Sequence, residues 1–307
     1  MTTTLQSDET EAQPPAYGTA GTARIDRWLA AGLVVLAGAL ALNTLLGPLF
    51  ADAIAYPFSE TMVNQTLGLE VVTLFVVAPW ALVAATLLSR GHRAAPFLAI
   101  PPAAYAAYMF VQYVLGPTYL TYQPAVVFHL GIFVCSWLVL AVAWRRTADV
   151  SLPTWTARRA RRTAIGLVAL AAFTTFQYVP TFAGFFEGSA LSAEAAADPT
   201  MFWSIVFLDL GIVVPATVLV AWGLLREAGW ARRAAYGVAG WFVLVPISVA
   251  TMGLVMLAND DPNAAVTQVA VLAVAAILFT AFAVWVFRPL FGGDSQPATE
   301  SDAQGAE

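Results

Sequence analysis

All fourteen Lys/Arg positions of the chain are arginines, and they occur only in alternate gaps between eight long apolar segments. The apolar segments cover approximately residues 28–50, 67–89, 94–115, 124–144, 163–185, 202–225, 235–257 and 264–287. The arginines are Arg24, Arg27, Arg90, Arg93, Arg145, Arg146, Arg158, Arg159, Arg161, Arg162, Arg226, Arg232, Arg233 and Arg288. The other gaps hold acidic residues without one arginine. Because positively charged loops stay on the cytoplasmic side, this alternation predicts eight transmembrane helices with both termini in the cytoplasm.

The composition is too apolar for a water-soluble globule. Hydrophobic residues make up 60% of the chain and charged residues only 11%. Each apolar segment is close to the ~20 residues that a helix needs to cross a ~30 Å hydrocarbon core. We therefore predict an all-α, polytopic protein whose main partner is the lipid bilayer, located in the cell membrane.

Residue usage also limits the cofactors and partners. The chain contains no lysine, so neither retinal nor pyridoxal phosphate can be held as a Schiff base. No folded basic domain is present, so we expect no nucleic-acid partner. Cys135 is the only cysteine and cannot form an intrachain disulfide, which favours a packed, unreactive thiol.

Two stretches of the chain resemble each other and predict an internal duplication. In the second apolar segment an acidic residue precedes Pro79, and Arg90 follows that proline by eleven residues; in the sixth, Asp209 precedes Pro215, and Arg226 again follows by eleven. Two four-helix units, each with an even number of crossings, would lie parallel and be related by an axis along the membrane normal. Chance similarity among Ala-, Val- and Leu-rich helices is the alternative.

The duplication divides the chain into five parts. Residues 24–147 and 163–291 form the two parallel four-helix repeats, and 148–162 is an arginine-rich cytoplasmic linker. The tails, 1–23 and 292–307, are rich in acidic and small residues and are predicted to be disordered and cytoplasmic.

The chain also resembles a widespread, uncharacterised family of bacterial and archaeal multi-pass membrane proteins. The resemblance lies in the acid-to-proline pattern of the second segment, the Arg90-Gly91 turn and a tyrosine-rich third segment. The stretch Leu208-Asp209-Leu210-Gly211, followed by Val214-Pro215-Ala216, is similar to the family's other recurring motif. Glu70 stands where aspartate is more usual in that family. The resemblance implies a membrane fold and implies no activity.

The strongly polar side chains within the apolar segments all lie toward the ends that are farthest from the arginines. At ~1.5 Å per residue, they lie within about 12 Å of those ends. They are Asn43, Glu70, Gln112, His129, Gln177, Asp209 and Gln268. This one-sided distribution predicts a polar cavity in the outer half of the bilayer.

Glu70 and Asp209 are expected to face the helix bundle and to have partners there, because a carboxylate is costly in lipid. The arginines are too far away to be those partners. The remaining options are the amides, a bound cation, water, His129, and the hydroxyls of Tyr108, Tyr113 and Tyr178.

Glu70, His129 and Asp209 are the candidate metal ligands, since imidazole and carboxylate both suit divalent first-row ions. Structural alternatives stand beside this hypothesis. His129 could form only a helix–helix hydrogen bond, and Glu70 could reach the interface. The two prolines could simply bend their helices, and the aromatic residues near the outer boundary fit an interfacial belt before they fit a lid over a lipid-like or quinone-like ligand.

Three functions remain open. The first is a sensor or accessory subunit that binds a small ligand or cation in the outer cavity. The second is a secondary transporter built from the two repeats, although transport requires a site near the midplane and an inward route. The third is a membrane enzyme acting on an outer-leaflet, lipid-like substrate, but recognisable catalytic motifs are absent. The sequence therefore favours binding over catalysis.

Overall fold

The computed structural model describes residues 20–292, and all regular secondary structure in this range is helical. We number the helices in chain order as α1 Ala20–Leu46, α2 Glu60–Ser89, α3 Ala95–Leu115, α4 Pro124–Thr147, α5 Ala157–Phe176, α6 Val179–Glu187, α7 Ala193–Ala197, α8 Pro199–Leu225, α9 Gly229–Ala258 and α10 Val266–Phe291. Within the described range, seven helices are long and apolar enough to cross a membrane. The bent pair α5 and α6 would make an eighth span if it crosses as one unit. The prediction of an all-α, multi-pass membrane protein is confirmed at this level.

Several predicted boundaries differ from the helix ends. Helix α1 begins at Ala20, within the stretch assigned to the first tail, and α2 begins at Glu60, seven residues before its predicted span. The hydroxyl of Ser59 fixes that start, because it accepts a hydrogen bond from the backbone N–H of Met62. Residues 1–19 and 293–307 lie outside the described residues, so the predicted tails are mostly not covered.

Helices α2 and α8 each contain one π-helical turn just before a proline. The turns are Thr73–Val77 and Asp209–Val213, and the prolines are Pro79 and Pro215. A proline lacks the N–H that would close an α-helical bond and crowds the preceding turn, so a locally widened turn accommodates it.

Equivalent features around these turns are separated by 136 residues in the two halves. They are the first residue of the π-helical turn (73 and 209), the proline (79 and 215) and the arginine after the helix (90 and 226). Helices α2 and α8 are followed by the C-cap residues Arg90 and Arg226, which have φ values of -92° and -93°. The next residues, Gly91 and Glu227, both have positive φ, 66° and 55°. Glu227 adopts the left-handed conformation although it has a Cβ. The second half therefore has the same turn geometry as the first, with a glutamate in place of the glycine.

Helices α3 and α9 lie at the centre and pack on each other. Around them, α1 packs on the second part of α2, and α5 packs on the second part of α8. Helix α3 packs on α4, and α9 packs on α10. The first part of α2 crosses to α9 and joins the two halves of the chain.

The two ends of the bundle differ in charge. At one end, called here the arginine end, Arg146 forms an ion pair with Asp26, and Arg159 donates to the carbonyl of Trp285 and lies 4.5 Å from the centre of its ring. At the opposite end, called the acidic end, Ser59 donates to Asp198. Side chains from distant segments therefore meet at both ends.

Candidate functional site

The seven polar residues predicted to line one cavity are divided among separate places. Asn43 and His129 contact each other, and Glu70 lies against the turn that follows Asn43. Asp209 and Gln112 lie beside Tyr108, in a second place. The last two residues, Gln177 and Gln268, are exposed. Below, the Glu70 cluster denotes Asn43, Tyr56, Glu70, Tyr113 and His129, and the Asp209 site denotes Tyr108, Gln112, Tyr178 and Asp209.

Glu70 is almost completely buried, with 1% of its surface exposed. Its Oε2 accepts a hydrogen bond of 3.1 Å from the backbone N–H of Leu49. The carboxylate lies directly against Gly47, where a Cβ would come within 2.0 Å of Oε1. A side chain at position 47 would therefore displace the carboxylate.

His129 is fully buried and is surrounded by aromatic rings. Its Nε2 lies 3.0 Å from Oδ1 of Asn43 and 3.4 Å from the hydroxyl of Tyr56. An amide oxygen can only accept, so Nε2 carries the hydrogen that is directed to Asn43. The ring of Tyr56 stacks on both Tyr113 and His129, with centroids 5.1 and 5.8 Å apart.

Two tyrosines from the loops complete the surroundings. Burial raises the pKa of Tyr56 above its ordinary value, a hydrogen bond with Asn43 opposes the rise, and the nearby charge of Glu70 adds to it. Burial also raises the pKa of Tyr119. Both phenols therefore keep their protons at neutral pH and can donate hydrogen bonds.

Four buried polar atoms of this region have no hydrogen-bond partner within residues 20–292. They are Oε1 of Glu70, Nδ1 of His129, the hydroxyl of Tyr119 and Oγ1 of Thr44, which is adjacent to Asn43. Buried polar groups in folded proteins are nearly always paired with protein or with bound water or ions. The Glu70 cluster is thus a place where the described chain leaves hydrogen-bonding capacity unused.

In the Asp209 site, both carboxylate oxygens accept hydrogen bonds from other side chains of the site. The hydroxyl of Tyr108 donates to Oδ1 of Asp209, and that of Tyr178 donates to Oδ2, each at 2.7 Å. These are two of the tyrosines proposed as partners from the sequence. Asp209 is also the first residue of the π-helical turn in α8, which places its side chain toward α3. Because both oxygens are occupied, this site has less need of a ligand than the Glu70 cluster.

The candidate metal ligands do not form a three-ligand group. Glu70 and His129 lie in the first half of the chain, while Asp209 is enclosed by Tyr108 and Tyr178. Among the residues that the structure describes, no group of three or more His, Cys, Asp or Glu side chains could hold a metal ion.

A polar network at the acidic end was missed by the sequence analysis. Asp261 accepts from the hydroxyl of Thr61 at 3.1 Å, from the amide of Asn64 at 2.9 Å and from the backbone N–H of Asn263 at 2.9 Å. Asn259 donates to Asn64 at 2.7 Å. The network ties the start of α2 to the loop between α9 and α10. The Asn-Asp-Asp-Pro run from 259 to 262 was the available signal, but its partners lie about two hundred residues away.

Asp261 gives a pH-dependent prediction. Burial alone would raise its pKa, but the hydrogen bonds from Asn64, Asn263 and Thr61 outweigh burial and lower the pKa below its ordinary value. A lowered folded-state pKa contributes stability that is complete above about pH 4, the range of an unfolded Asp, and is lost as the pH falls further. We expect Asp261→Asn to reduce the free energy of unfolding at pH 7 by about 1–3 kcal/mol. Unfolding in detergent micelles at several pH values measures both effects.

The matched control is Asp260→Asn, at the exposed neighbour whose φ is 52°. Asparagine tolerates this left-handed conformation, so the control should retain stability. Below pH 4, the stability of the Asp261 variant should also decline less steeply than that of the native protein. Equal stability of the two variants at pH 7 would contradict the role of the network.

Comparison of the chain with protein-family models, curated proteins and solved structures gives no match.

Proposed function

We propose that this chain is an integral membrane protein that binds a small polar ligand or a cation at the Glu70 cluster, as a sensor or accessory subunit. The observation that carries the proposal is a deeply buried carboxylate with an unpartnered oxygen and no arginine at its end of the bundle. A carboxylate at such depth requires neutralisation by a proton or by a bound positive group. Stacked aromatic rings beside it offer a further attraction for a cation.

The proposal includes the membrane arrangement. Helices α5 and α6 together form the eighth span, the chain consists of two parallel repeats, and both termini lie in the cytoplasm with the arginines. Support for the repeats comes from the 136-residue correspondence of π-helical turns, prolines and left-handed turns. Support for the orientation comes from the collection of arginines at one end of the bundle.

The repeats have diverged at the site. At a separation of 136 residues, Glu70 corresponds to Val206, and Asp209 corresponds to Thr73. Helices α2 and α8 thus each carry one buried acid, but at different positions. Only the acid of the first half has an unpartnered oxygen in the described structure. One ligand per chain is therefore proposed.

A thermal-unfolding screen of the purified protein tests the proposal. Sodium, calcium, manganese and choline chlorides are added separately to the protein in detergent micelles. A cation that binds the folded state adds about 2.7 kcal/mol to the free energy of unfolding when its concentration is a hundredfold above Kd. We expect at least one of these salts to stabilise the native chain specifically, and Glu70→Gln to abolish this response.

Glu60→Gln is the matched control, because Glu60 is an exposed carboxylate at the start of the same helix. It should retain the response. If the native protein and the Glu70 variant respond alike to every salt, cation binding at Glu70 is ruled out.

A further inference from the structure

An open cavity lies at the arginine end, between the end of α2 and the end of α10. Its volume is about 630 Å³, within the range of ~300–1,000 Å³ that small-molecule sites occupy. Both helices are long and apolar enough to cross a membrane, so the cavity lies where the hydrocarbon core meets the lipid head groups. The side chains that the argument uses are those of Leu87, Arg90, His92, Arg93 and Phe291.

Contacts between the two walls give the cavity a fixed shape. Arg93 donates from Nε to the carbonyl of Leu290 at 3.0 Å and from Nη2 to the carbonyl of Gly292. These carbonyls lie at the end of α10, where no further helical turn supplies an N–H. The ring of His92 lies against that of Phe291, with the centroids 5.5 Å apart. The cavity is therefore formed before a ligand enters.

Two side chains of the cavity have donors without an acceptor in the described chain. Nδ1 of His92 accepts from the backbone N–H of Ala94 at 3.1 Å, so the hydrogen of the neutral imidazole is on Nε2. Within residues 20–292, that Nε2 has no acceptor, and it is not among the buried atoms. Arg90 is exposed, and its guanidinium forms neither an ion pair nor a hydrogen bond in the same range. Both groups are accessible to an acceptor from outside the protein.

The cavity carries positive charge without a neighbouring acid. Within the described part of the chain, no Asp or Glu lines it. Asp26 and Asp149, which lie at the same end of the bundle, both pair with Arg146. Arginines at the level of the head groups attract anionic lipids, and basic pockets between spanning helices bind their head groups.

Apolar side chains connect the cavity to the bilayer. Leu87 forms one wall, and Phe291, which is 52% exposed, forms the other. Val83 lies four residues before Leu87, and Val284 lies seven before Phe291, so each continues the same face of its helix. Both valines are exposed. This surface suits an acyl chain and offers nothing to a free phosphate ion.

From these contacts we propose that the cavity binds the head group of an anionic glycerophospholipid. The phosphodiester oxygens accept hydrogen bonds from the Arg90 guanidinium and from Nε2 of His92. One acyl chain follows Leu87 and Val83 into the bilayer. The proposal rests on the membrane arrangement given above and is independent of the ligand at the Glu70 cluster, which lies in the other half of the bundle.

The equivalent turn of the second half supplies a matched control. At a separation of 136 residues, Arg90 corresponds to Arg226, and His92 corresponds to Ala228. Arg226 is exposed like Arg90, but Glu227 follows it directly. Arg226→Gln therefore removes the same charge at an equivalent turn that has no imidazole and carries an acid.

Native mass spectrometry of the purified full chain, released from detergent micelles, tests the proposal. Dioleoyl phosphatidylglycerol and dioleoyl phosphatidylcholine are added separately, and Kd of the first bound lipid is measured. We expect phosphatidylglycerol to bind at least about fivefold more tightly, the gain from one arginine near an anionic lipid. Arg90→Gln should remove most of this preference, whereas Arg226→Gln should retain it.

His92→Phe is a second variant, which keeps a ring against Phe291 but removes the Nε2 donor. It should weaken binding of phosphatidylglycerol roughly fivefold, as one hydrogen bond is lost. Thermal unfolding without lipid checks that each variant is folded. Glu70→Gln should bind phosphatidylglycerol like the native protein, so the lipid result and the cation result are read separately.

Ammonium phosphate distinguishes the two sources of a phosphate group. In excess, it should leave phosphatidylglycerol bound, because inorganic phosphate has no acyl chain to contact the apolar wall. Displacement by phosphate would identify a site for the free ion and overturn the lipid proposal. Equal affinity for the two lipids, or an equal loss in Arg90→Gln and Arg226→Gln, would overturn it as well.

Discussion

Replacing Gly68 with alanine is expected to lower the free energy of unfolding by about 3 kcal/mol, the upper part of the range for overpacking. A Cβ at this position would come within 2.5 Å of Cα and 2.6 Å of the backbone N of Met252. Because these are backbone atoms of α9, no side-chain rotation can relieve the clash, and α2 and α9 must separate. This contact joins the two halves of the chain.

The matched substitution at an open glycine should have the opposite sign. Gly38 lies within α1, and a Cβ there would meet nothing within 4 Å. Alanine is a better helix former than glycine by about 1 kcal/mol, so Gly38→Ala should be neutral or stabilising. Unfolding of both variants in mixed detergent micelles measures the difference. If Gly68→Ala is as stable as Gly38→Ala, the close approach of α2 and α9 is wrong.

The sequence was sufficient for the helical class and for most helix positions, because apolar length and arginine placement are local properties. The fifth apolar segment shows where local information ends. Residues 163–185 were predicted as one span, but the chain bends by 44° between α5 and α6. Pro180 lies in the first turn of α6, so it has no N–H to bond the carbonyl of Phe176 one turn earlier, and its ring crowds that carbonyl. The hydropathy of residues 163–185 does not predict this bend.

The candidate site was predicted only in part, for a geometric reason. Counting residues along a helix predicts the height of a side chain, and it places Glu70, His129 and Asp209 in the half away from the arginines. The direction in which each side chain points depends on the rotation of its helix, which packing determines. Glu70 and Asp209 are therefore at similar heights but have different neighbours.

The glycines that make close contacts could not be identified from the sequence either. Gly47 and Gly68 are two residues among 21 glycines, and nothing in their local pattern distinguishes them. Their importance comes from what lies opposite: the Glu70 carboxylate for Gly47 and the α9 backbone for Gly68. Such constraints arise between distant segments and become visible only with the fold.

Asp209→Ala is the other substitution expected to have a large effect on stability. It would leave the hydroxyls of Tyr108 and Tyr178 without their acceptor in a largely buried site. Each buried hydroxyl that loses its partner costs about 1–3 kcal/mol. We therefore expect the free energy of unfolding to fall by about 2–5 kcal/mol, a range that adds the two losses and allows for partial relaxation.

Removing the two tyrosine hydroxyls that are left without an acceptor should restore much of the lost stability. In the triple variant that combines Asp209→Ala with Tyr108→Phe and Tyr178→Phe, no unpaired polar group remains, and replacing all partners by apolar groups is often nearly neutral. The triple variant should recover at least about half of the lost stability, less the cost of the small cavity at position 209. Unfolding of the single and triple variants in mixed micelles measures this recovery. A triple variant that is no more stable than Asp209→Ala would show that the tyrosine hydroxyls do not depend on the carboxylate. Recovery of stability would identify Asp209 as the hydrogen-bond acceptor that links α8 to α3 and to the bend between α5 and α6.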